Sequence, residues 1–171
     1  MTQLVSVLLA QLLVLLGGGG VAVAAPAGNQ RFFAVGRVED PALTIVASGV
    51  IAGVGSLTAE SVELRPVDLT YHETDRVGIG GGTLTVSVDG RFDVWPFTLD
   101  PRSCTRQGSL AGTWTIAASG GDFAGATGGG TFSGHFITYA ARGPGGCDEA
   151  AIKGVVAGRM VGAMTLPPPV W

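Results

Sequence analysis

Apolar and polar residues alternate with a period of two along most of this chain, and glycine breaks nearly every such run. In Thr83–Val88 (TLTVSV), Leu84, Val86 and Val88 share one face, while Thr83, Thr85 and Ser87 share the other. In Gly112–Ala117 (GTWTIA), Trp114 and Ile116 oppose Thr113 and Thr115. In Phe132–Tyr139 (FSGHFITY), Phe132 and Phe136 oppose His135, Ile137 and Tyr139. A period of two belongs to strands, and the helical period is almost absent. Further strands are expected in Arg31–Val38, Thr44–Leu57, Val67–Tyr71, Phe92–Leu99 and Ile152–Leu166. The chain holds 29 glycines, many inside these runs beside Val, Ile, Phe and Trp. Such glycines mark bulges, tight bends and close backbone approach in a curved sheet. Many short strands with turn signals between them predict an all-β barrel or sandwich.

One hairpin can be argued to its register. Val88-Asp89-Gly90-Arg91 is expected to link the strands Thr83–Val88 and Phe92–Leu99. A two-residue loop mixes faces. A three-residue loop, Val88-Asp89-Gly90, pairs Val86 with Phe92 and Leu84 with Val94, with Gly90 left-handed.

The N-terminus has the layout of a secretory signal peptide. Leu4–Leu16 is an uncharged apolar run, Gly17–Gly20 breaks it, and Ala22-Val23-Ala24 supplies a small-residue cleavage site. Residues 1–24 are read as the signal, 25–166 as one barrel domain and 167–171 as an extended proline-rich tail. Cleavage after Ala27 is the alternative site. Leu4–Ala25 as an uncleaved anchor is the rival reading, at about 20 residues just long enough to span a bilayer. The first basic side chain is Arg31, so the usual basic n-region is missing. No cysteine near the site suggests a lipoprotein, and no Arg-Arg pair suggests the twin-arginine route. The expected location is secreted or in the cell envelope.

The chain carries 10 basic and 13 acidic residues, a formal charge of −3. The bases are scattered, which argues against a nucleic-acid surface or a polybasic membrane patch. Cys104 and Cys147 are the two cysteines, and in an exported chain such a pair reads as one disulfide. It would close a loop of about 43 residues, worth ~4 kcal/mol by chain entropy. Two cysteines and two distant histidines do not make a metal set, and no C-x-x-C is present. No metal or other cofactor is expected.

The densest ionisable run is Asp68–Arg76 (DLTYHETDR). His72 beside Glu73 and Asp75 has the residue types for metal binding or acid–base work. The plainer reading, preferred here, is a strand end entering a charged, solvated turn. On a strand, Tyr71 points away from His72. His135 and Tyr139 share a face and become ligand-binding candidates, with His72, if that face lines the interior; the plainer reading is a packed pair. Glu60 and Glu63 fall on opposite faces of an extended segment, which defeats them as a carboxylate pair. No phosphate loop is present, and Gly108-Ser109-Leu110-Ala111-Gly112 has its serine one place too early for a nucleophile elbow. Asn29 is followed by Gln30 and Arg31, so no glycosylation sequon exists.

Gly112–Phe132 (GTWTIAASGGDFAGATGGGTF) resembles the pattern G-T-W-T-I-x-G-G-T-G-x-F-A-G-A-T-G-x-G-x-F of small exported bacterial proteins with an allene-oxide-cyclase-like barrel, a fold shared with plant dirigent proteins. Ser119-Gly120-Gly121-Asp122 departs from it where G-G-T-G would stand. The resemblance implies an antiparallel barrel of eight strands with an internal cavity. Locally it implies a strand ending at Ala117, a turn at Gly120-Gly121, Phe123 plugging the barrel end and a return strand from Gly125–Gly130. It carries no catalytic residue over to this chain. The resulting expectation is a non-catalytic barrel that binds a small apolar ligand or an envelope partner. One alternative is a protein acting through exposed aromatics such as Trp95, Phe97 or Trp171. Another is an isomerase or cyclase acting inside the barrel.

Overall fold

The structure is a computed structural model that describes residues 25–93, 99–148 and 152–168. The signal segment, Trp95, Phe97 and Trp171 lie outside the described residues, as does Val94. Ten strands follow one another in the chain: β1 (Ala27–Arg37), β2 (Leu43–Gly49), β3 (Gly53–Arg65), β4 (Thr70–Ile79), β5 (Gly82–Phe92), β6 (Thr105–Gly121), β7 (Thr127–Tyr139), β8 (Arg142–Gly143), β9 (Gly146–Cys147) and β10 (Lys153–Thr165). Eight of them close into a barrel in the order β1-β10-β7-β6-β5-β4-β3-β2, every pair antiparallel. This is an up-and-down meander, closed by the long β1–β10 ladder from Ala27↔Thr165 to Arg37↔Val155. Closure gives each of the eight strands a partner on both sides over at least part of its length. The small β8–β9 hairpin lies in the connection from β7 to β10.

The expected alternation sets the inner face. Leu84, Val86 and Val88 are buried, Trp114 and Ile116 face inward, and Phe132 packs on the core. The β1–β10 end of the barrel is shut. Phe123, Ile51, Ile79, Ala126 and Met164 are buried there. The Gln30 amide braces this end, accepting from the Ile51 N–H at 2.8 Å and donating to the Ile51 carbonyl at 3.1 Å. Halfway up, Phe32 meets Trp114 edge-on, with ring centroids 5.7 Å apart, and the Trp114 indole donates to the Val161 carbonyl.

Four expectations are corrected. Val88-Asp89-Gly90 is not a hairpin: β5 runs straight through to Phe92 and pairs with β4 and β6 over its whole length. Gly90 faces inward because the Tyr71 ring lies on it, and a Cβ there would collide with that ring. Thr44–Leu57 is two strands, split by a turn after Gly49. β4 starts at Thr70 rather than Val67, whose side chain is 96% exposed in the turn. β6 does not end at Ala117. Ala117 is a bulge residue, skipped between the Thr85↔Ala118 and Val86↔Ile116 pairs, and β6 continues to Gly121.

Cys104 and Cys147 are joined, with Cα atoms 5.4 Å apart. The bond ties the start of β6 to the β8–β9 excursion at the other end of the barrel. Asp100 caps the turn before it, accepting from the Arg102 N–H at 2.8 Å and the Ser103 hydroxyl at 3.1 Å.

Two stability outcomes follow from this architecture. Gly90→Ala should cost about 1–3 kcal/mol in a urea titration, as the Tyr71 ring is forced off its seat. Reducing Cys104–Cys147, or replacing both with Ser, should cost about 2–4 kcal/mol. A Gly90→Ala protein as stable as the parent would show that the ring moves freely.

Candidate functional site

Among the described residues, side chains fill the barrel's bore at one end and leave a cavity at the other. A cavity of about 450 Å³ opens at the end formed by the β1–β2 turn (38–42) and the start of β6. Its wall is largely aliphatic and aromatic: Leu43, Leu57, Val88, Phe92, Leu110, Phe132, Phe136 and Val156 all line it. This size and lining are those of small-molecule pockets.

Arg37, Asp40, Arg106, Thr138 and Arg159 also line the cavity, and the inner face of β4 adds a carboxyl pair. Tyr71, Glu73 and Asp75 follow at two-residue spacing, so all three point inward, and Val77 and Ile79 continue the row into the shut end. Register gives their flanking neighbours. Glu73 lies between Val62 and Val88, and Asp75 lies between Ala59 and Val86. Both carboxyls are thus set among aliphatic side chains. Burial raises the pKa of each. For Asp75 the neighbouring Glu73 charge and the hydrogen bond between the two carboxyls add to that, and it reaches about 8. The same bond works the other way on Glu73, which accepts it as a carboxylate. The two carboxyls titrate as a pair, and Asp75 holds its proton to a higher pH than a free carboxyl does. Asp75 is 5% exposed, and its Oδ1 has no hydrogen-bond partner.

Tyr71 joins this pair to an aromatic group. Its ring stacks on Phe92 at 4.8 Å and meets Phe132 edge-on at 6.3 Å. Burial, reinforced by the two carboxylates, holds its hydroxyl well above the usual phenol range. Toward the mouth, Arg106 donates from Nε to Thr138 Oγ1 at 2.9 Å.

The three expected ligand-binding residues are not part of the cavity. His135 is on the outer face, where its Nδ1 meets the Ser109 hydroxyl at 3.0 Å. Tyr139 is 51% exposed. His72 pairs outside with Asp89 at 2.8 Å. On β7 the inward parity belongs to Phe132, Gly134, Phe136 and Thr138, which turns His135 and Tyr139 outward. The solvated-turn reading of Glu73 and Asp75 is corrected too, since they are strand residues facing the cavity. So is the placement of Glu60 and Glu63 on opposite faces. The β3 register shifts between Ala59 and Ser61, which makes Glu60 a bulge residue. Ala59 and Val62 line the cavity, while Glu60 pairs with Arg76 at 2.6 Å outside, and Glu63, opposite His72, is outside as well.

Comparison of the chain with protein-family models, with curated proteins and with solved structures returns no match.

The raised Asp75 pKa sets the sign of a pH dependence. A carboxyl whose folded pKa exceeds its unfolded value binds its proton more tightly when folded. Its contribution to stability is complete at low pH and is lost as pH rises from about 4 towards 8. Thermal unfolding followed by circular dichroism should show the melting temperature falling from pH 5 to pH 9. Asp75→Asn should flatten that fall and stabilise the protein at pH 9 by on the order of 1–3 kcal/mol. An unchanged pH profile in Asp75→Asn would refute the raised Asp75 pKa.

Proposed function

We propose that this chain is an exported barrel that binds a small, largely apolar molecule in its interior. The carrying observation is the cavity of about 450 Å³, open at its mouth among the described residues and walled mainly by apolar side chains. Eight-stranded barrels have bores that are either just filled by side chains or able to hold one small ligand. Export rests on the signal-like N-terminus and agrees with the Cys104–Cys147 disulfide. The likeness of Gly112–Phe132 to exported barrels of the allene-oxide-cyclase-like class supports the same reading. An isomerase or cyclase role would use this same cavity, with Glu73 and Asp75 as its titratable groups.

A second reading, contact through the exterior, has one observation in its favour. Val54, Val46 and Phe33 are register neighbours across β3, β2 and β1, and all three are exposed. They form an apolar stripe on the outside of the barrel.

A titration with N-phenyl-1-naphthylamine, a neutral fluorophore that brightens in apolar surroundings, separates the two. The cavity reading expects a saturable signal of one molecule per chain. It also expects at least a tenfold loss of affinity in Val156→Trp, which fills the bore, with the β-sheet circular dichroism retained. A signal unchanged in Val156→Trp but lost in Phe33→Ser would move the site to the exterior.

A further inference from the structure

We propose that the cavity selects a hydrophobic cation, a small apolar compound bearing a protonated amine, which docks on Glu73 and Asp75 with its body against the Tyr71, Phe92 and Phe132 rings. This deepens the reading of the barrel as a ligand-binding protein and rests on it.

Three observations converge. First, a buried carboxyl pair faces the cavity, and among the described residues no arginine or lysine forms an ion pair with either member. The groups around it do not neutralise it. β3 presents Ala59 and Val62, with the Glu60 carboxylate behind the bulge adding further negative potential. β5 presents Val86 and Val88. The cationic side chains that line the cavity are Arg37, Arg106 and Arg159. Arg106 is held by Thr138 on the mouth side of Leu110 and Gly112, whereas Trp114 and Ile116 continue the rows of Glu73 and Asp75.

Second, Asp75 Oδ1 is a buried acceptor with no donor. An unsatisfied buried acceptor opposes folding, and Asp75 is one of the residues that line the cavity. An N–H donor satisfies it; a ligand carbonyl or carboxylate does not.

Third, aromatic faces stand beside the carboxyls. Tyr71 is two residues from Glu73 on the same face, stacked on Phe92 and edge-on to Phe132. Rings next to a negative group in a desolvated pocket are the chemistry that holds ammonium ions.

Binding a cation lowers both carboxyl pKa values. Where Asp75 holds its proton in the free protein, that proton passes to solvent, and the complex carries the ionised carboxyl and the ligand's charge.

Three probes with one apolar body test this: 1-adamantylamine, 1-adamantanol and 1-adamantanecarboxylate, titrated calorimetrically at pH 7 in two buffers of different ionisation enthalpy. The amine should bind at least tenfold tighter than the alcohol, the carboxylate weakest, with up to one proton released for the amine only. Asp75→Asn and Glu73→Gln should each weaken the amine at least tenfold, several times more than they change the alcohol. Retained β-sheet circular dichroism is the control that these variants still fold. Equal affinity for amine and alcohol, or tightest binding of the carboxylate, overturns the cation proposal and leaves the apolar-ligand reading standing. Failure of all three probes, with N-phenyl-1-naphthylamine also unbound, overturns both.

Discussion

A row of aromatic rings laid over glycine backbone holds the rest of the barrel in place. Across four adjacent strands the register runs Tyr71, Gly90, Gly112, Phe132. The two rings lean toward each other over two residues without side chains, and a Cβ at Gly90 or Gly112 would collide with them. The pattern recurs at the shut end, where Phe123 lies on Gly82. A closed ring of eight strands has a nearly fixed bore. Large rings fit most readily inside it where the facing wall is bare. Glycine thus converts bore volume into ring packing at Phe123, and the volume left unfilled towards the other end becomes the cavity.

The same row explains what was legible in the sequence. Alternation of Leu84, Val86 and Val88, of Trp114 and Ile116, and of Phe132 and Phe136 identified the inner face, because large apolar residues have nowhere else to go. Gly90 misled because Asp-Gly is a strong turn signal, and the ring that requires a glycine there comes from Tyr71, on the neighbouring strand. Local sequence cannot show a cross-strand steric demand. Bulges at Glu60 and Ala117 were equally silent. Each inserts one residue and inverts the parity on one side, which is why Glu60 and Glu63 share the outer face.

The candidate site was half visible. The two-residue spacing of Tyr71, Glu73 and Asp75 puts them on one face, and Val77 and Ile79 extend that face into the core. What weighed against it was composition: a run reading Asp-Leu-Thr-Tyr-His-Glu-Thr-Asp-Arg has the character of a solvated turn, and charged residues are rarely buried. The signal that would have found the pair is the continuation of its parity into two buried aliphatics. His135 and Tyr139 failed for the converse reason. Their face was correctly separated from Phe132 and Phe136, and only one of the two faces can be inside.

The β4 strand also indicates that the carboxyls are not there for the fold. Its inner face carries Tyr71, Glu73, Asp75, Val77 and Ile79 in succession, and the last two show what the barrel interior accommodates without penalty. Aliphatic residues at 73 and 75 would continue that packing against Val62, Val88, Ala59 and Val86. Instead two carboxyls lie side by side with pKa values raised by burial, one of them with an oxygen lacking any donor. Burying such a group without full hydrogen bonding opposes folding. Its placement is destabilising at the one level of the barrel where the bore is also left empty. A defect of packing and a defect of polar satisfaction at the same site have a common remedy, a guest with an apolar body and a hydrogen-bond donor. On the proposed reading the cavity and the carboxyl pair are one feature, which a single guest would satisfy.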